Sequence, residues 1–227
     1  MAPRTTLIEP VQSLLTALTT PSQPLPSPNS SSPQPPKPLL TCFTTLPTPQ
    51  VHEHGLPQLA PFLGRTFTGP DGVSRYFALL AEHLAIANMA FEPDDAWLVD
   101  DSCMAVSLRG TATFTWRATA QAWDEAFVYR IALARDTSDD PEKRGQLLVW
   151  EYRVWADSGA AYLARTGRLG ELLAADGGKG GVEGIHVGGL EEDGKMQGRE
   201  TRRSMDRKRS GCQDVLGGGL SVYGSCG

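Results

Sequence analysis

Between Cys103 and Asp157 apolar and polar residues alternate with the period of a β-strand. From Ala105 to Trp116 the apolar set Val106, Leu108, Ala112, Phe114 and Trp116 is interleaved with Ser107, Arg109, Thr111, Thr113 and Thr115. Trp123, Phe127, Tyr129, Ile131 and Leu133 keep the same two-residue step, and Leu147–Trp155 follows the charged loop Asp136–Arg144. This periodicity, enriched in β-branched and aromatic residues, predicts three long strands. The short gaps between them make neighbours antiparallel. One face of such a meander is apolar and needs a cover.

Other periods supply that cover. Leu7, Ile8, Val11, Leu14, Leu15 and Leu18 recur at helical steps between Thr5 and Thr20, predicting an amphipathic helix that Pro21 helps to stop. The Pro/Ser tract 21–38 buries too little to order itself, and Leu39–Phe43 resumes as a short apolar turn. VHEHGLPQLAPFLGRTF, Val51–Phe67, holds two prolines and two glycines and reads as short turns of helix. The clearest helix follows: Pro70 and Asp71 suit its first turn, and Val73, Tyr76, Phe77, Leu80 and Leu84 form its stripe. A strand is expected over Phe91–Asp101. A closing helix, Gly159–Arg165, is capped by Asp157 or Ser158 and ended by Gly167. The expectation is an α+β domain over 39–173 with the 1–20 helix as its first cover.

Composition sharpens the ends of the chain. Of 227 residues, 17 are proline and 24 glycine; prolines crowd before residue 70 and glycines after residue 177. The stretch 174–227 reads as a disordered tail, although Arg202, Arg203, Arg207, Lys208 and Arg209 could form a polyanion patch. Residues 41–173 hold 11 Lys/Arg against 17 Asp/Glu, a net charge of −6. That balance argues against nucleic acid as a partner. No run of about 18 apolar residues predicts a membrane span. Cys42, Cys103, Cys212 and Cys226 make no CxxC pair and read as free thiols. With an opening, MAPRTTLIEP, that is poor as a targeting peptide, the cytoplasm is the expected compartment.

Three stretches carry a resemblance. FTGPDGVSRYFALLAEHL, WDEAFVYRIAL and VWADSGAAYLA are similar to fungal SnoaL-like proteins. These belong to the cone-shaped superfamily of nuclear transport factor two and ketosteroid isomerase. The resemblance covers roughly 39–173, with the Leu7–Leu18 helix as the long first helix. It implies a cystatin-like cone, a curved antiparallel sheet wrapped around that helix and shorter ones, whose open end holds a pocket. It implies no cofactor and no metal. Members include isomerases, polyketide cyclases, dehydratases and non-enzymatic dimerisation modules, so the fold leaves the reaction open.

If the pocket works on a ketone-like or polyketide ligand, enolisation needs a base beside the acidic C–H and a donor for the oxyanion. Glu125 is in register with Trp123, Phe127 and Tyr129, so it either faces the cone or sits at its rim beside Arg117. His52, Glu53, His54 and Asp157 are the other candidate bases, but Asp157 also stands where a helix cap is needed. Tyr129 and Tyr152 are candidate oxyanion donors. His52, Glu53 and His54 are expected at the mouth of the pocket, with Tyr76, Trp116 and Phe127 in its wall. Two histidines flanking a carboxylate could hold a metal, yet no third ligand is evident. Three classes of function follow: an apolar small-molecule pocket, a cofactor-free isomerase, cyclase or dehydratase, and a dimerisation module with a filled cone. Aromatics exposed across the outer sheet face make a homodimer through that face a candidate.

Overall fold

Helix α1, Arg4–Thr19, presents Leu7, Val11 and Leu14 to the interior, each wholly buried. The structure, a computed structural model, describes residues 4–19 and 37–175. The Pro/Ser tract apart from its last two residues, the Arg202–Arg209 cluster, Cys212 and Cys226 lie outside the described residues. All described residues fall within Met1–Gly188.

After α1 come α2 (Lys37–Thr41), β1 (Gln50–Glu53), β2 (Thr66–Thr68), α3 (Gly69–His83) and β3 (Leu84–Phe91). Then follow β4 (Leu98–Asp100), β5 (Ala105–Trp116), β6 (Gln121–Arg135), β7 (Leu147–Trp155), α4 (Ser158–Arg165) and α5 (Leu169–Ala175). The strands form one seven-stranded sheet in the order β2-β1-β7-β6-β5-β3, with β4 paired to β5 off that path. This is the expected α+β class, and β5 and β7 have the bounds their alternation predicts. The helices lie over the inner face, where α1 touches β5, β6 and β7. Arg4 Nη2 also anchors α1, donating to the carbonyls of Asp94 at 2.7 Å and Trp97 at 3.1 Å.

Three expectations need correction. The sheet is not wholly antiparallel, because β1 runs parallel to β7. Five strands and a helix separate the two in sequence, so no hairpin turn dictates their relative direction. The segment 51–67 is not a set of helical turns: β1 and β2 pair antiparallel within it. Finally, the strand expected at 91–101 starts earlier. Helix α3 stops at His83 and the chain continues as β3, with Leu84 opposite Trp116 and Ile86 opposite Phe114. The run LAIANMAF is rich in helix formers, yet the free edge of β5 recruits it as a strand, and pairing overrides propensity. Pro93 and the turn Asp94–Ala96 then interrupt the expected run.

The register of β5 on β6 is continuous from Ala105↔Ala132 to Trp116↔Gln121. It stacks inward pairs in rows: Leu108 with Tyr129, Gly110 with Phe127, Ala112 with Glu125, Phe114 with Trp123. Gly110 has a steric reason to be glycine. A Cβ there would lie 2.5 Å from Phe127 Cε2 and 2.8 Å from Phe91 Cδ1. Its absence lets two rings close over the strand, which suits a glycine inside a strand.

Candidate functional site

The inner sheet face, α3 and the end of α1 enclose a cavity of about 610 Å³. The cone is therefore not packed solid. Its wall is mainly aromatic and aliphatic: Phe62, Phe77, Phe114, Trp123, Phe127 and Leu80 are among the lining side chains. Into this wall the register inserts a small set of acids and phenols. Glu53 is opposite Val154, which is opposite Tyr129. One row deeper, Val51 is opposite Tyr152 and Tyr152 opposite Ile131. Tyr76 comes from α3, on the helical stripe with Val73 and Phe77.

Glu53 is only 6% exposed, and its Oε2 accepts a hydrogen bond from Tyr76 Oη at 2.7 Å. It has no ion-pair partner among the described residues. Burial pushes its carboxyl up to about 8, partly opposed by the Tyr76 hydrogen bond and assisted by the charge of Glu125. The rings of Tyr129 and Tyr152 meet edge to face, their centroids 4.9 Å apart. Burial raises the pKa of all three tyrosines, so each is a neutral donor across the physiological range.

Glu125 also faces the cavity. Trp123 Nε1 donates to its Oε2 at 2.6 Å, and the backbone N–H of Asp157 donates to Oε1. Burial raises its pKa; those two donors oppose the rise and the charge of Asp157 adds to it. Arg117 does not pair with it. The Arg117 Nε donates instead to the carbonyls of Ala81 and Leu84 at 3.1 and 3.0 Å, the free end left by the abrupt stop of α3.

The remaining sequence-derived candidates separate by face. Phe127, Tyr76 and Tyr152 line the cavity, and Asp157 lies at its edge. The Asp157 carboxylate caps α4, its Oδ1 accepting from the N–H groups of Gly159 at 2.9 Å and Ala160 at 3.1 Å. His52 and His54 do not reach the mouth. Strand alternation sends Glu53 inward and both histidines outward, on the side of Arg153, which is opposite His52. There His52 Nδ1 meets Thr66 Oγ1 at 3.0 Å, while His54 stacks on Trp155 with centroids 4.3 Å apart. Burial, then Arg153, lowers the pKa of His52; burial, then His52 and Arg153, lowers that of His54. No group of three or more possible metal ligands occurs among the described residues. Trp116 is likewise off the cavity, buried against His83 in a stack of 5.3 Å.

Two features escape the sequence pattern. The depth of Glu53 follows from β1 being a strand on β7, and the alternation of Val51 and Glu53 against His52 and His54 was its one signal. Trp123 as the donor to Glu125 follows from their i, i+2 spacing once the strand's face is known.

No protein-family model matches the sequence, and no curated protein matches it. Solved structures do resemble the chain. One is an NTF2-like protein from Burkholderia xenovorans LB400, 16% identical, with a TM-score of 0.48 over 70% of this chain and 95% of that one. Another is BvnE pinacolase from Penicillium brevicompactum, 13% identical, with a TM-score of 0.48 over 75% and 98% of the two chains. PrhC from Penicillium brasilianum is 11% identical, with a TM-score of 0.47 over 75% and 96%. At such identities and TM-scores these are likenesses alone. The register, burial and cavity described above define an α+β domain with an acid- and phenol-bearing cavity inside it.

Proposed function

We propose that this domain binds a small, apolar, ketone-like molecule inside the cone. The observation that carries this reading is the cavity of about 610 Å³, mainly apolar in its wall yet furnished with convergent acids and phenols. A concave apolar site with a few polar groups is what a ligand pocket requires.

A second reading, a cofactor-free enzyme that moves a proton next to a carbonyl, is favoured by Glu125. Its carboxylate is held by two donors inside an apolar wall, and desolvation strengthens it as a base. In this reading Glu125 removes the α-proton, and Tyr129 or Tyr152 donates to the oxygen on which charge develops. Asp157 then acts as a positioning residue, through its peptide N–H on Glu125 and its cap on α4. The acidic balance of 41–173 supports a non-nucleic-acid ligand, and no described helix is long and apolar enough to cross a membrane. A homodimer through the outer sheet face belongs to the same reading. Its support is the pair Val128 and Trp155, directly opposite one another and 38% and 39% exposed.

Exchange of the methyl protons of 2-acetylnaphthalene in heavy water tests this. The full chain accelerates the exchange, and Glu125→Gln slows it by about 10²–10⁴-fold while the ketone still binds. Asp157→Asn lowers stability by about 1 kcal/mol through the weakened cap, with a smaller effect on exchange. Binding without exchange leaves the binding module and removes the enzyme; absence of binding removes both.

A further inference from the structure

Arg117 is the one lysine or arginine among the described residues that line the cavity, and the chemistry above leaves it without a role. Hydrogen bonds fix it to the end of α3. Its peptide N–H donates to the carbonyl of His83 at 2.8 Å, and its Nε to those of Ala81 at 3.1 Å and Leu84 at 3.0 Å. Neither Nη makes a hydrogen bond among the described residues. The ion pairs there belong to His83, Arg109, Arg130, Arg144, Arg153 and Arg168, not to Arg117. Arg117 is exposed, so its free donors stand at the cavity's mouth. An exposed cation usually gains little from a partner, partly because a long side chain must be ordered to meet it. Here the end of α3 has already ordered it.

The strand register separates this cation from the cavity's acids. Glu125 is opposite Ala112, and the Asp157 N–H donates to Glu125. From Ala112, β5 runs about 13 Å further to its end at Trp116, and Arg117 follows. Between the two lies an apolar wall, including Phe114 and Trp123 with ring centroids 5.6 Å apart. The cavity is therefore bipolar, with acids and phenols inside and a free guanidinium at the mouth. Resting on the reading of the cavity as a site for an apolar ketone, we propose that its ligand is a keto acid. The ketone lies beside Glu125, and the two Nη groups of Arg117 receive a carboxylate at the far end of an apolar body about 10 Å long. The planar fork of a guanidinium matches a carboxylate's two oxygens. The acids set the orientation, because a carboxylate turned inward meets Glu125, whose oxygens already accept from Trp123 and Asp157.

Calorimetric titration of the full chain with 4-acetylbiphenyl and with 4′-acetylbiphenyl-4-carboxylate tests the proposal, at about pH 7.5 where the acid is ionised. Wild type binds the keto acid about tenfold more tightly than the ketone, the value of one charge-assisted pair. Arg117→Gln brings that ratio to about one or below, and Arg117→Lys, which keeps the charge without the fork, retains part of it. Salt gives a check on wild type alone. Raising it from about 0.05 to about 0.5 M lowers the ratio at least about threefold. The chain carries a net charge of −5, so its overall field repels the keto acid and screening that field would raise the ratio instead. Keto acid binding no tighter than ketone, a ratio that survives Arg117→Gln, or one that salt leaves unchanged or raises overturns the carboxylate subsite. The cavity reading then stands on the ketone's own binding. Failure of both ligands to bind overturns both.

Discussion

Two buried carboxyls in this domain move in opposite directions, and the count of donors around each is the reason. Asp136 is 1% exposed, and burial alone would raise its pKa. Ser138, Thr45 and Leu46 supply donors that outweigh burial and bring it down to about 2. Glu53 has a single donor in Tyr76 and is pushed up to about 8. The linkage follows. Between the ordinary carboxylate range and pH 8 the folded chain holds a proton on Glu53 that the unfolded chain has released, so stability falls as pH rises across that window. Glu53→Gln removes the dependence. Its gain over wild type in chemical denaturation grows from near zero at about pH 4.5 to the order of 4 kcal/mol by pH 8. A constant difference across that range contradicts the protonated state.

Among the elements, β5 and β6 do most to set the site. Their unbroken register decides that Glu125, Phe127 and Tyr129 share the inner face, and a slip of one residue would send all three outward. Gly110 is the point at which this pair tolerates least change. Gly110→Ala drives a methyl into the rings of Phe127 and Phe91. We expect a loss of about 1–3 kcal/mol from overpacking. Phe127 has the cavity on its far side, so its displacement also weakens 2-acetylnaphthalene binding. Thermal denaturation with and without the ketone separates the two effects, and an Ala variant as stable as wild type shows that the rings yield freely.

For the whole molecule, the outer face of the sheet is as organised as the inner one. Glu151, 6% exposed, is held there by Arg130 at 2.8 Å, Arg153 at 2.9 Å and Gln50 at 2.9 Å. Beside this cluster lie His54 on Trp155 and the exposed Val128. An apolar strip beside an arranged ion cluster fits a self-complementary interface. Sedimentation of wild type is expected to give a dimer, and Val128→Arg combined with Trp155→Arg a monomer with the cavity's ketone affinity retained. A wild-type monomer at all concentrations refutes the interface.

Much of this was legible in the chain. The two-residue alternation of 105–116 and 147–155 set β5 and β7 to the residue, and the stripe Leu7–Leu15 set the buried face of α1, because side-chain period is a local property of the backbone. The same period put Glu125 on one face with Trp123, Phe127 and Tyr129 but left open whether that face was the cone or its rim, and the position before α4 offered Asp157 or Ser158 as its cap. Tertiary structure decided the rest. LAIANMAF became a strand because β5 had an edge to fill, and β1 became a strand because β7 did. Only that second pairing separates Glu53, inside the cone with Tyr76, from His52 and His54 on the far face. Adjacent residues of one motif thus acquired opposite environments through a contact about a hundred residues away in sequence, and local pattern carries no record of such a contact.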